Sequence, residues 1–473
     1  MDRKKLIVLG AGPGGYAAAF HASDLGLDVT LIDPLENPGG VCLYYGCIPT
    51  KTLLSLASII GLTGKAAEWG VNFSGVSLDL AKIRSFKESV VNQLTGGVGQ
   101  LAKSRKINYL RGIGKISGKN KLEFFPMEGN KQELEFENLI IATGGYSSEL
   151  PGIPFDDDMV MNAKTALELR DIPKKLLVVG AGYIGLEMAV IYKAFGSEVE
   201  IVEFTPDILQ GADQDLKDVF KKERKDLISM TMFDTRVVSM NRKGKKLIVD
   251  FETKGGEKKQ GTYDKILVAT GTKPNSSGIG LEEAGVKINE KGYIIVDIFR
   301  RTNVENIYAI GDITGQPMLA HKATSEGRVA AEHIAGHKTA FEPKAIPAVI
   351  FTEPEIAWTG LTETEAKNQG KTIKVSRFPW SASGKAVSVG LKSGFTKLII
   401  DPETEQILGG GIVGKDAGTL IAEITLAVEM SAVVRDLELT IHPHPTMSET
   451  IMEAAELYYG QATHLFRKTK SVK

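Results

Sequence analysis

The sequence predicts an α/β chain: two copies of a strand–glycine turn–helix unit, then a C-terminal α+β part of different character. Three observations lead there. KLIVLGAGPGGYAAAF, from Lys5, and KLLVVGAGYIGLEMAV, from Lys175, share one arrangement: an apolar run, a Gly-x-Gly-x-x-Gly turn and a small-residue helix. LIIATGG (139–145) and ILVATGT (266–272) form a second repeated pair, each an apolar strand entering a glycine turn. From about residue 346 the pattern changes to short strand-like runs without a glycine fingerprint.

The 473 residues exceed what one ordinary core can bury, so several domains are expected. The boundaries read from the repeats are 1–148, 149–272, a central part 273–345 that completes the first domain, and 346–473. With 57 basic and 58 acidic residues the formal charge is −1, which excludes nucleic acid or an anionic membrane as the main partner. The opening MDRKK and the uncharged Leu6–Ser23 resemble the head and core of a signal peptide. Gly10, Gly12, Pro13, Gly14 and Gly15 in its middle disfavour an inserting helix, so the segment reads as strand, turn and helix. No other run reaches the roughly 18 uncharged apolar residues of a membrane span. A cytoplasmic protein without a membrane partner is the expectation.

The glycine spacing has a specific physical use. The first glycine (Gly10, Gly180) allows the tight turn, and the second (Gly12, Gly182) lets a pyrophosphate approach the backbone. The third (Gly15, Gly185) lets the helix pack close to its strand, and the helix N-terminus supplies partial positive charge. Each copy is followed by a strand ending in an acid, Asp33 or Glu203, 23 residues after its first glycine. That is the position of a carboxylate accepting hydrogen bonds from ribose hydroxyls. Two Rossmann-like domains, each holding a dinucleotide, follow. Glu203 would repel a 2′-phosphate, so NAD is favoured over NADP in the second. NIYAIGDI (306–313) is an apolar strand ending at Gly311-Asp312, where Asp312 either faces a ligand crevice or is an ordinary turn residue.

In the last part, VIFTEPEIAWTG, FTKLIID and ILGGGIVG read as antiparallel strands, and GTLIAEITLAVEM has the period of an amphipathic helix. These make the C-terminal α+β domain.

Both cysteines, Cys42 and Cys47, lie in GGVCLYYGCIPTK (39–51). They are too few for a disulfide framework, and no nearby Cys or His completes the four ligands of zinc. No metal site is expected. Inert thiols or a redox pair remain, and the flanking glycines disfavour the first. A regular helix separates i and i+5 by about 7.5 Å along its axis, beyond the roughly 4.4–6.8 Å between the Cα atoms of a disulfide. The segment is therefore expected to be a distorted turn or helix start. TIHPHPTMSETI (440–451) adds His442 and His444 in a proline-stiffened turn, with Glu449 placed to orient His444. A carboxylate-held imidazole suits a general base for a thiol of ordinary pKa about 8.5.

Together, GAGPGG, GGVCLYYGCIPTK, GAGYIGLE, AIGD with QPMLAHKA, FTEPEIAWTG and HPHPTMSE resemble the dihydrolipoamide dehydrogenases among the FAD-dependent pyridine-nucleotide disulfide oxidoreductases. The motifs run from the first strand to near the C-terminus. The resemblance implies FAD on Gly10, Gly12, Gly15 and Asp33, with Lys51 near the flavin N5, Asp312 at the ribityl–phosphate region, and Gly144 and Ala320 alongside. It implies NAD on Gly180, Gly182, Gly185, Glu203 and Gly271, with Glu187 beside the nicotinamide and paired to Lys51. Cys42 becomes the interchange thiol and Cys47 the charge-transfer thiol. The last domain becomes the interface of a homodimer, in which His444 and Glu449 serve the partner subunit's disulfide. The implied reaction oxidises dihydrolipoamide, carried on lipoyl domains of 2-oxo acid dehydrogenase or glycine cleavage complexes, and reduces NAD⁺.

Three places depart from the family pattern: Tyr44-Tyr45, Pro443 and Gly145-Tyr146. The two phenols either reshape the dithiol pocket or serve as packing aromatics. Related reductases fit less well. Glutathione-type enzymes want arginines where this chain has Glu203-Phe204-Thr205, and mercuric or large thioredoxin reductases need a further cysteine pair after residue 47. A flavoprotein serving only as a structural subunit is disfavoured by the complete cysteine and histidine motifs.

Overall fold

Lys5–Leu9 (β1) and Asp28–Asp33 (β2) consist largely of branched apolar residues, and β1 is buried from Leu6 to Leu9. Strands buried on both faces belong in a parallel sheet covered by helices. The computed structural model, which describes residues 5–466 except 151, 154 and 156, shows that arrangement. Residues 1–4, which open the segment resembling a signal peptide, lie outside the described residues.

The chain divides into two compact units, Met1–Leu56 with Ala66–Ile172 and Leu267–Glu342, and Ala57–Lys65 with Pro173–Ile266 and Pro343–Lys473. In the first, a seven-stranded sheet runs in the order 307–309, 138–141, β1, β2, 108–118, 121–126, 132–135. Its first five strands are parallel and the last two antiparallel. Leu6 and Val8 pack on one face with Ala18, Ala19 and Ala22 of Pro13–Asp24 (α1), and Ile7 and Leu9 on the other with Leu122 and Phe124. The repeated strand–turn pairs meet each other: Gly145–Ser147 pairs antiparallel with Thr272–Pro274. After β2 come two helices, Gly40–Tyr45 (α2) and Cys47–Ala66 (α3). Among the described residues, the helical run 40–69 is long and apolar enough by length and composition to cross a membrane. It is broken at Gly46 and carries Lys51 and Lys65.

In the second unit, Lys175–Val179 (β3), Tyr183–Ala194 (α4) and Glu198–Val202 (β4) repeat the strand–helix–strand device, with β3 and β4 parallel. An antiparallel sheet of 235–243, 246–253 and 258–263, which the sequence reading did not separate out, follows. The C-terminal sheet has the order 348–350, 355–360, 407–414, 395–400, 374–379, antiparallel throughout. Ala417–Glu429 (α5) and Glu449–Tyr459 (α6) share its core through Ile421, Ile424, Ile451 and Ala454. The expected strands and helix are present. Lys374–Pro379 was not expected: in KVSRFP, at a sheet edge, Val375 and Phe378 are three residues apart and Ser376 shares the buried face with Phe378, so no apolar alternation marks the strand.

Lys397 stands on a strand inside that sheet and is 1 % exposed. Its ammonium donates to Asp213 Oδ2 at 2.8 Å, Asp215 Oδ1 at 2.7 Å and Glu363 Oε1 at 2.7 Å, and Arg377 Nε adds a bond to Asp215 at 2.7 Å. These bonds tie segment 213–215 to the C-terminal sheet. Burial alone would raise the pKa of Asp213, but the bond to Lys397 and its charge outweigh burial and hold the pKa below the usual range. Stability from this contact is present above the ordinary carboxylate range and is lost as pH falls through the depressed value. Lys397→Met should lower the urea-unfolding free energy by about 3–5 kcal/mol at neutral pH, and the gap from wild type should narrow on acidification. A variant with an unchanged midpoint would show the cluster to be dispensable.

Candidate active site

The first glycine turn lies between β1 and α1. Gly10 has φ +99° and its N–H donates to Ile32 O at 2.8 Å, which holds the turn against β2. A Cβ on Gly15 would stand 1.9 Å from Gly10 O, so only glycine permits this approach. A Cβ on Gly12 would meet nothing within 4 Å, and no side chain caps the N-terminus of α1. Asp33, buried at the end of β2, accepts from Ala11 N at 2.7 Å and Leu35 N at 3.0 Å. Burial raises its pKa and the two N–H groups oppose the rise. An uncapped helix start, open space over Gly12 and a strand-end carboxylate fit a dinucleotide pyrophosphate and its ribose.

Asp312 follows strand 307–309 in the turn Gly311–Thr314. Burial raises its pKa; Lys322 opposes this and Glu326 adds to it. Ala320 opens the helix Ala320–Ala335, and Gly144 (φ +67°) lies in the turn after strand 138–141. Glu326 is a residue the sequence reading missed. It is fully buried, accepts from Gly311 N at 2.6 Å, and pairs with Arg300 at 2.9 Å and Lys322 at 3.1 Å. Its i,i+4 spacing from Lys322 among small helix residues was the available signal.

The cysteine segment rests on this turn. Gly39 N donates to Ala11 O at 2.8 Å, and a Cβ on Gly40 would stand 2.5 Å from Gly12 Cα. The expected distortion is located at Gly46 (φ −136°, ψ −110°), between α2 and α3. A Cβ there would lie 2.9 Å from Val41 O, so glycine permits the break to close on itself. Cys42 is half-buried and Cys47 is exposed, and no disulfide joins them here. The pKa of Cys42 is raised by its hydrogen bond to Cys47, then by burial and the charge of Cys47, while Lys51 draws it down. Lys51 lies one turn after Cys47 on α3. The two tyrosines have partners of their own. Tyr44 OH bonds the backbone N and O of Asn37 at 3.1 Å each, and the Tyr45 ring lies 4.2 Å below Lys164 Nζ.

The second turn repeats the first. Gly180 has φ +105° and donates to Val202 O at 2.8 Å; a Cβ on Gly185 would stand 2.0 Å from Gly180 O; one on Gly182 would meet nothing. Glu203 accepts from Ala181 N at 2.6 Å, Thr205 N at 2.8 Å and Thr205 Oγ1 at 2.7 Å. These bonds hold its side chain at the end of β4, where a carboxylate fits ribose hydroxyls. Glu187, 2 % exposed on α4, accepts from Phe351 N at 3.0 Å. Lys51 and Gly271 belong to the first unit.

His444 and Glu449 come together in the second unit, with His444 Nδ1 2.8 Å from Glu449 Oε1. Thr446 N donates to Glu449 Oε2 at 2.7 Å. Burial would raise the pKa of Glu449, but that N–H and His444 outweigh it and the pKa falls. A carboxylate on Nδ1 places the neutral ring's proton there and leaves Nε2 as the proton acceptor. The His444 side chain is 72 % exposed.

Residues 4–327 match the pyridine nucleotide-disulphide oxidoreductase family and residues 346–455 match the dimerisation domain of the same name. The chain belongs to the pyridine nucleotide-disulphide oxidoreductase family. Among similar proteins is the dihydrolipoyl dehydrogenase of Vibrio cholerae, 45 % identical over 463 residues, 98 % of this chain and 97 % of that one. The dihydrolipoyl dehydrogenase of Thermus scotoductus is 44 % identical over 472 residues, 99 % of this chain and 100 % of that one. A solved structure of LpdA from Mycobacterium tuberculosis matches with a TM-score of 0.89 at 26 % identity, covering 96 % of this chain and 99 % of that chain.

A member of this family should tolerate a methyl group at one glycine of each turn and not at the other. Gly182→Ala should fold with an unchanged melting temperature yet bind NAD⁺ at least tenfold more weakly by calorimetry, a loss of about 1.4 kcal/mol. Gly185→Ala should be destabilised. Equal behaviour of the two variants would contradict the geometry.

Proposed function

We propose that this oxidoreductase oxidises protein-bound dihydrolipoamide to lipoamide through a Cys42–Cys47 disulfide, with FAD and NAD⁺ as cofactors. The observation that carries the proposal is the dithiol segment built directly onto the first glycine turn through Ala11–Gly39 and Gly12–Gly40. The near full-length similarity to dihydrolipoyl dehydrogenases supports the substrate. In this reading residues 1–148 and 273–345 hold FAD, 149–272 hold NAD and 346–473 form the interface of a homodimer. The similarity to a dimerisation domain supports the last point.

His444, held by Glu449, takes a proton at Nε2 from one substrate thiol. The resulting thiolate attacks Cys42 Sγ, the Cys42–Cys47 bond breaks, and Cys47 leaves as thiolate. The second substrate thiol gives its proton to the departing Cys42 sulfur as it attacks the substrate sulfur bonded to Cys42. Lipoamide is released and Cys42 is left reduced. His444 as imidazolium stabilises the developing thiolate. Bound flavin supplies the two-electron relay between the dithiol and the nicotinamide. Gly10, Gly12, Gly15, Asp33, Lys51, Gly144, Asp312 and Ala320 would hold it. Gly180, Gly182, Gly185, Glu187, Glu203 and Gly271 hold NAD⁺. His444 acts on the partner subunit's disulfide. The lipoyl group arrives on a lipoyl domain of a 2-oxo acid dehydrogenase or glycine cleavage complex, in the cytoplasm.

Purified Cys47→Ser should retain flavin and lose NADH-driven lipoamide reduction. His444→Ala should retain flavin and lose roughly 10²–10⁴-fold in turnover. Full activity of the first would overturn the dithiol reaction, and a wild-type rate in the second would remove His444 as base.

A further inference from the structure

His442 is the member of the histidine turn that this reaction leaves unused, and both of its ring nitrogens are engaged. Nδ1 lies 2.8 Å from Thr440 O and Nε2 lies 2.8 Å from Glu423 Oε1. A backbone carbonyl only accepts, so Nδ1 carries a proton. A carboxylate also accepts, so the second contact asks for a proton on Nε2. The side chain is 5 % exposed, which makes a lone pair aimed at a carboxylate costly.

We propose that His442 is a positioning residue: as an imidazolium clasped between Thr440 O and Glu423, it fastens the turn that bears His444 to α5. The inference rests on His444 being the base. The charged groups that act on His442 are Glu423 from α5 and Glu449 from α6. Its pKa is raised first by the hydrogen bond to Glu423, against burial, with smaller help from the Thr440 carbonyl and Glu449. The clasp is therefore complete below the ordinary histidine value and opens as pH rises through the raised one. A neutral His442 keeps one N–H and must release either the carbonyl or the carboxylate. Release loosens the turn two residues before His444.

Two measurements on the flavin-loaded enzyme test this. In long-range proton–nitrogen spectra of ¹⁵N-histidine-labelled protein, with His442→Gln supplying the assignment, both ring nitrogens of His442 should stay protonated at a pH just above the ordinary histidine value. A neutral ring at that pH overturns the proposal, whether or not any variant folds. In the second, Glu423→Gln should move the alkaline limb of NADH-driven lipoamide reduction down by roughly one pH unit. NADH-driven ferricyanide reduction, which bypasses the dithiol, should be unchanged. An unmoved limb, or equal loss in both assays, also overturns it. A wild-type enzyme inactive toward lipoamide would instead refute the functional reading, and the spectra would still decide the state of His442.

Discussion

The site depends on a backbone-to-backbone contact that no side chain could make. The start of α2 lies against the first glycine turn so closely that a Cβ on Gly40 would stand 2.5 Å from Gly12 Cα, and Gly39 is hydrogen-bonded to Ala11 O. One structural unit thus carries the pyrophosphate cradle and the dithiol in fixed relation. The break at Gly46 serves the same end, because it brings Cys47 back to Cys42 across five positions that a continuous helix would hold apart. Proximity fixed by backbone contacts has little freedom left to lose when the reaction begins.

The second unit uses the same turn for a different purpose. Gly180, Gly182 and Gly185 repeat the turn, and Glu203 at the end of β4 is held by Ala181 N and Thr205. The Lys397 cluster then joins the strand-rich C-terminal part to segment 213–215 through buried ion pairs. Such pairs add less to stability than their Coulomb energy suggests, yet leave a large penalty if one partner is lost. The C-terminal part also carries the histidine turn, in which Glu449 sets the tautomer of His444 and Glu423 holds His442.

Much of this was legible in the sequence because it is local. Gly-x-Gly-x-x-Gly with an acid 23 residues on specifies a turn, a helix start and a carboxylate within one strand–helix–strand unit. Cys42, Gly46 and Cys47 likewise announce a distorted turn or helix start within six residues. What stayed hidden depends on distant partners. Glu326 acquires meaning only when Gly311 N and Arg300 close on it, and Lys397 looks like any polar strand residue until Asp213 and Glu363 arrive. The edge strand Lys374–Pro379 was hidden for a different reason, since an edge position lets polar residues fill half the pattern. Tyr44 and Tyr45 have their partners seven residues upstream and on a separate helix, which the sequence pattern could not name.

The central claim is that electrons enter through the dithiol held beside the flavin. Anaerobic titration of the purified, flavin-loaded protein with dihydrolipoamide, followed by visible absorbance, tests it most directly. The account predicts a long-wavelength thiolate–flavin band on the first addition, and NADH when NAD⁺ is then supplied. Bleaching of the flavin without that band, or a spectrum that dihydrolipoamide leaves unchanged, would contradict it.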